Sequence, residues 1–86
     1  MPDRCQQAFE DAAKSIAKIP ADYLPLNIKD NIPGQNDWDD LNSAFCWELD
    51  RLGCTIVESE LDAFWASNKT FRQLLEYVSK NCACGS

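Results

Sequence analysis

Between Trp38 and Gly53 the apolar residues Trp38, Leu41, Phe45, Leu49 and Leu52 recur in steps of three, four, four and three. That spacing aligns side chains along one face of an α-helix. Asp37 stands where an N-cap is expected, and Asp39 and Asp40 set carboxylates against the free amides of the first turn. Arg51 supplies a basic last turn, and Gly53 follows where a left-handed C-terminal cap belongs.

Three further helices can be read around this one. From Asp3 to Ile19 the residues Cys5, Phe9, Ala12, Ala13, Ile16 and Ile19 form a second apolar stripe, closed by Pro20, which has no amide proton to donate. Ser59 can cap a short helix bearing Leu61, Phe64 and Trp65, after a Cys54–Val57 segment whose apolar pair Ile56 and Val57 is expected to plug the bundle. Thr70 and Gln73 match a capping box ahead of Phe71, Leu74, Leu75 and Val78, predicting a last helix that ends near Asn81. The stretch from Ala21 to Gln35 holds Pro25, Pro33 and Gly34 and reads as a long connection, with Tyr23, Leu24, Leu26, Ile28 and Ile32 as apolar anchors across one end of the bundle. Connections of this length carry either function or a short helical turn.

The expectation is an all-α, small four-helix bundle with a long loop between its first two helices. At 86 residues the chain has enough surface to bury for one core, so residues 1–86 are read as a single domain, ordered from about 3 to 81, with a frayed tail at 82–86. A hydrophobic share of 45% with three Gly and four Pro is that of a folding chain and not of a disordered one.

Charge narrows the partners. Fourteen acidic residues against eight basic ones give a net charge of −6, which opposes a nucleic-acid phosphate backbone and an anionic membrane surface alike. Neither nucleic acid nor membrane is an expected partner; a basic surface of another protein is. No secretory leader is evident at Met1–Cys5, so a cytoplasmic location is expected. The cysteines Cys5, Cys46, Cys54, Cys82 and Cys84 are odd in number and lack C-x-x-C spacing, and are expected to be ordinary reduced thiols. The Cys82–Ala83–Cys84 pair could serve redox or metal chemistry, but on a frayed tail it is read as incidental.

Catalytic chemistry finds little footing. The chain has no His, which removes Ser-His and Cys-His dyads and the commonest metal ligand together. Its glycines are isolated, so no phosphate loop can form. No catalytic residue, metal site or cofactor is expected, and the protein is not read as an enzyme. Trp38 and Trp65 lie at helical spacing and are expected in the core, whereas Trp47 falls off the Trp38–Leu49 stripe and is either covered by the long loop or exposed as a contact. Acidity gathers as Asp37, Asp39, Asp40, Glu48, Asp50, Glu58, Glu60 and Asp62. Together with Trp47 these residues are the candidate partner-binding set; a simply solvated face is the alternative.

The order of elements resembles the acyl carrier protein family, over nearly the whole chain. Asp39-Asp40-Leu41 resembles that family's Asp-Ser-Leu attachment motif; Leu49, Leu52 and Ile56 resemble apolar positions in and just after its second helix, and Thr70-Phe71 the opening of its last helix. In that family the serine of the motif carries 4'-phosphopantetheine; here Asp40 stands in its place and cannot accept the phosphodiester. The resemblance implies a non-catalytic binding or adaptor module that docks a basic partner through the acidic surface of its second and third helices. It leaves two alternatives: a carrier modified with phosphopantetheine at Ser43, one turn further on, and an unrelated small helical interaction or inhibitory protein.

Overall fold

The computed structural model describes residues 3–82 and 84. Five helices follow one another: α1 (Arg4–Lys14), α2 (Ile28–Asn31), α3 (Gln35–Arg51), α4 (Glu58–Ala66) and α5 (Phe71–Cys82). Among the described residues there is no strand, only an isolated antiparallel bridge between Asn27 and Thr70. The body measures 31 × 24 × 24 Å. The all-α expectation holds, with the single turn α2 added inside the long connection.

Each helix starts for a local reason. Asp3 caps α1, its Oδ1 accepting from the Gln6 amide at 2.7 Å, and its Oδ2 accepts from the Ser79 hydroxyl at 3.0 Å, which ties the start of α1 to α5. The capping box of α5 is formed: the Gln73 amide donates to Thr70 Oγ1 at 3.1 Å and the Thr70 amide donates to Gln73 Oε1 at 2.9 Å. Gly53 takes the left-handed conformation expected after α3, at φ 84°.

Several boundaries depart from expectation. The first helix stops at Lys14 and not at Ile19; Ser15 is its C-cap, and the chain turns so that Ile16 and Ile19 pack against the core from the loop. The third helix begins at Gln35 with Gly34 as N-cap, so Asp37 sits in the first turn, where it faces the helix dipole, instead of capping it. Val57, not Ser59, is the N-cap of α4, leaving Ser59 within its first turn. Of the expected plug, Ile56 is buried and Val57 is exposed; Leu52, at the C-cap of α3, is also exposed, so the buried stripe ends at Leu49.

The core is built around Phe9. Its ring lies 5.1 Å from Phe45 edge-on, 5.7 Å from Phe71 and 5.8 Å from Tyr23, while Tyr23 meets Phe71 edge-on at 5.4 Å. Centroid spacings of this order suit the quadrupoles of aromatic rings, which favour edge-to-face and offset pairs. One ring of α1 thereby joins α3, α5 and the long connection. The Tyr23 hydroxyl donates to Glu10 Oε2 at 2.8 Å; burial, and then that carboxylate, hold the phenol well above its ordinary pKa.

The connection is stitched to the turn between α4 and α5. The Ile28 amide donates to the Lys69 carbonyl at 2.8 Å, and the Phe71 and Arg72 amides donate to the carbonyls of Leu26 and Leu24 at 3.0 and 2.8 Å. The first amides of α5, which no helical carbonyl can satisfy, are thus answered from the loop. Asn68 is the hinge of the stitch. At φ 51° it adopts the left-handed conformation that Asn tolerates, receives the Lys29 amide on Oδ1 and donates from Nδ2 to Asp30.

The cysteines overturn the expectation of reduced thiols. Cys5 is disulfide-bonded to Cys84 and Cys54 to Cys82, each pair with Cα atoms 5.5 Å apart, leaving Cys46 as the free thiol. Cys82 and Cys84 are thereby held to Cys54 and Cys5, and Cys84 is buried; residues 83, 85 and 86, and with them the expectation of a frayed tail, lie outside the described residues. The sequence spacing concealed this because the partners lie 79 and 28 residues apart and meet only once the start of α1 and the loop after α3 are brought to the end of α5.

Two stability outcomes follow. Phe9→Ala is expected to cost about 3 to 5 kcal/mol in denaturant unfolding, the range for emptying a buried aromatic site. Cys84→Ser and Cys54→Ser are expected to lower stability by about 4 to 5 and about 3 to 4 kcal/mol in oxidised protein, ordered by the lengths of the loops they close. Equal effects would show that loop closure is not the source.

Candidate binding surface on α3 and α4

Helix geometry sorts the polar residues of α3. Trp38, Leu41, Asn42, Phe45 and Leu49 are buried on one side. On the opposite side, within an arc of roughly 100° by the turn of an α-helix, lie Asp39, Asp40, Ser43, Trp47 and Asp50, all exposed. The Trp47 side chain is 62% exposed and forms no part of the core. Its ring is covered on one face by the Arg51 guanidinium, 4.9 Å from the centroid, and Arg51 in turn binds Glu48 Oε1 at 3.1 Å. Trp38 and Trp65 instead serve the interior, as their spacing indicated: Trp38 is fully buried and Trp65 half-buried, its indole N–H donating to the Ile32 carbonyl at 2.7 Å.

The start of α4 joins this face. Ser43 Oγ donates to Glu58 Oε1 at 2.6 Å, and Asn42, the one buried polar residue among those described, donates from Nδ2 to the Glu58 backbone carbonyl at 3.0 Å. Thr55 donates to Asp50 at 3.4 Å from the loop between the helices. The exposed surface is therefore a strip of carboxylates, Asp39, Asp40, Asp50 and Glu58, around a single exposed indole.

The remaining candidates divide. Glu60 is exposed on α4. Asp62 faces inward: it accepts the Trp38 indole N–H at 3.0 Å and is half-buried, so its charge is engaged in holding α4 to α3. Glu48 is half-buried and paired with Arg51, and Asp37 lies at the far end of the helix in its first turn. Among the described residues the carboxylates form no cluster tight enough to hold an ion.

Cys46 sits one turn beyond Asn42, its thiol 3.6 Å from Asn42 Oδ1. Burial, and then the Glu58 charge, push its pKa up to about 11. A protonated thiol is a poor nucleophile. The sequence also left unread an apolar groove of about 620 Å³ between the end of α1 and the loop, lined by Ala13, Ala17, Ile19, Pro20 and Tyr23 with Lys14 and Lys18 on its walls. It lies away from the acidic strip, and small residues in α1 are the one sequence signal that could have indicated it.

No protein-family model matches the chain, and no curated protein or solved structure is significantly similar to it.

Alkylation of Cys46 by iodoacetamide should be slow at pH 8 and accelerate as pH approaches 11, and Glu58→Gln should move that rise to lower pH. Because the folded thiol holds its proton above the pH at which the unfolded thiol loses it, Cys46 also makes stability fall as pH rises from about 9 towards 11. A rate profile matching that of a free thiol would remove both effects.

Proposed function

We propose that the protein is a non-catalytic binding or adaptor module, an acyl-carrier-like bundle that docks a basic surface of a partner protein through α3 and the start of α4. The observation that carries this reading is Trp47, an exposed indole at the centre of an acidic helix face. Large aromatics in that setting supply the energetic centre of an interface, and the surrounding carboxylates steer and orient a cationic partner. Asp39, Asp40, Asp50 and Glu58 form the electrostatic rim, with Glu60 beside them on α4. Asp62, which holds Trp38, belongs to the scaffold of the surface more than to its contacts.

A carrier loaded at Ser43 is the weaker reading. The Ser43 hydroxyl donates to the Glu58 carboxylate, and Asp39 and Asp40 lie within a turn of it, so the negative diphosphate of coenzyme A would approach a negative field. An unrelated helical interaction or inhibitory protein would use the same surface, so that alternative differs in ancestry and not in contacts. The two disulfides favour an oxidising compartment over the cytoplasmic address read from the chain start.

The test is a pull-down with immobilised parent protein and the same capture with Asp39, Asp40 and Asp50 changed to Lys, followed by titration of the captured protein. Binding should weaken at least about 30-fold for the triple variant and about 10-fold or more for Trp47→Ala, as for the loss of an interface anchor. Trp47→Ala should unfold within roughly 1 kcal/mol of the parent, since only an exposed cation–π contact is lost. Capture that survives both changes would sink the proposed surface. Incubation with coenzyme A and a phosphopantetheinyl transferase should leave the intact mass unchanged; a gain abolished by Ser43→Ala would establish the carrier instead.

A further inference from the structure

The cysteine pole holds more than two chain staples. The sulfurs of Cys5, Cys82 and Cys84 all lie within 4.8 Å of one another although they belong to two different disulfides, and the sulfur of Cys54, which lies outside that group, is bonded to one of the three, that of Cys82. Disulfides that served only to close loops would have no need to set their sulfurs side by side. In a tetrahedral zinc tetrathiolate, with Zn–S bonds of about 2.3 Å, the sulfurs stand about 3.8 Å apart. Three of the four sulfurs already stand within 4.8 Å of one another, and the fourth, that of Cys54, has to swing in from its bond to Cys82 to complete such an arrangement.

We propose that these four cysteines, when reduced, form a tetrathiolate site for a soft divalent ion of the zinc class, so that the pole is held either by two disulfides or by one metal ion. The ligands come from four separate places in the fold: the first turn of α1 (Cys5), the loop between α3 and α4 (Cys54), the last residue of α5 (Cys82) and the residue two beyond it (Cys84). Thiolates suit zinc, and no imidazole is available to compete in this chain. Cys5 lies at the second residue of α1, where free backbone amides and the positive end of the helix dipole favour thiolate charge. Cys5 and Cys84 are buried, which excludes water from two ligands, and half-buried Cys82 leaves a path of entry.

Interconversion balances with a phosphine as reductant. Each disulfide takes two electrons from one phosphine; water supplies the oxygen of the phosphine oxide and the two protons that complete a pair of thiols. Zinc then displaces one proton from each of the four thiols as its bonds to sulfur form. Cys46, whose thiol contacts Asn42 Oδ1 and lies outside the sulfur group, takes no part.

The test uses the full chain, reduced anaerobically with tris(carboxyethyl)phosphine and freed of reductant, then titrated with Co²⁺ followed by Zn²⁺. One equivalent of Co²⁺ should give thiolate charge-transfer bands and intense tetrahedral d–d bands that Zn²⁺ bleaches, with release of about one proton per thiol. Cys84→Ser and Cys54→Ser should each weaken binding roughly a hundred-fold or more, and Cys46→Ser should leave it unchanged. Circular dichroism covers the case in which reduction unfolds the chain: the ion should then restore helicity. Reduced protein that takes up no Co²⁺, a spectrum insensitive to Cys84→Ser, or a chain that stays unfolded with metal would each overturn the site.

Discussion

The packing of Phe9 against Phe45, Phe71 and Tyr23 is the interaction on which the rest of the molecule depends. A chain of this size has one core to build, and here a single ring from α1 touches the two longest other helices and Tyr23 of the long connection. With that ring in place, α1 lies against α3 and α5 and the loop is held down by Tyr23. Its removal would leave four elements facing a common void.

Around that centre the two ends of the fold are secured differently. One end is held by polar atoms, with Asn68 and the backbone of residues 24–28 satisfying the first amides of α5 and fastening the connection to the turn before it. The other end is held by sulfur, with Cys5 and Cys54 bonded across to the end of α5 and beyond. Hydrogen bonds of the first kind contribute modestly each and act through their number, whereas a cross-link acts chiefly on the unfolded chain. The start of α1 and the end of α5 are thereby brought together at a covalent pole, where the sulfurs of Cys5, Cys82 and Cys84 lie within 4.8 Å of one another.

The acidic strip is the consequence of what α3 buries. Once Trp38, Phe45 and Leu49 turn inward and Asp62 accepts the Trp38 indole, the residues on the far side have no interior role, and Trp47 is left outside among carboxylates. Ser43 and Asn42 then fasten the start of α4 to the same helix, through the Glu58 carboxylate and carbonyl, so the strip spans two rigid elements instead of one. In the proposed docking, a surface on such a frame would need little reordering, which would reduce the entropy lost on association.

Helical period, capping residues and turn chemistry were legible in the sequence, because each depends on residues within a few positions of one another: the stripe of α3, the Thr70–Gln73 box, the left-handed Gly53 and the displacement of Trp47 from the Trp38–Leu49 stripe. Boundaries were less so. Whether α1 continues to Ile19 is decided by how its last apolar residues pack, and whether Asp37 or Gly34 caps α3 by where the loop delivers the chain. The inward role of Asp62, the stitch through Asn68, the groove beside α1 and the disulfide pairing could not be read at all, since each joins residues far apart in the chain through packing that no local spacing records. By itself the sequence determined an acidic, all-helical chain with an aromatic left over on one helix face; only the tertiary structure decided which carboxylates surround it and which cysteines meet, because both are fixed by how the helices dock on Phe9.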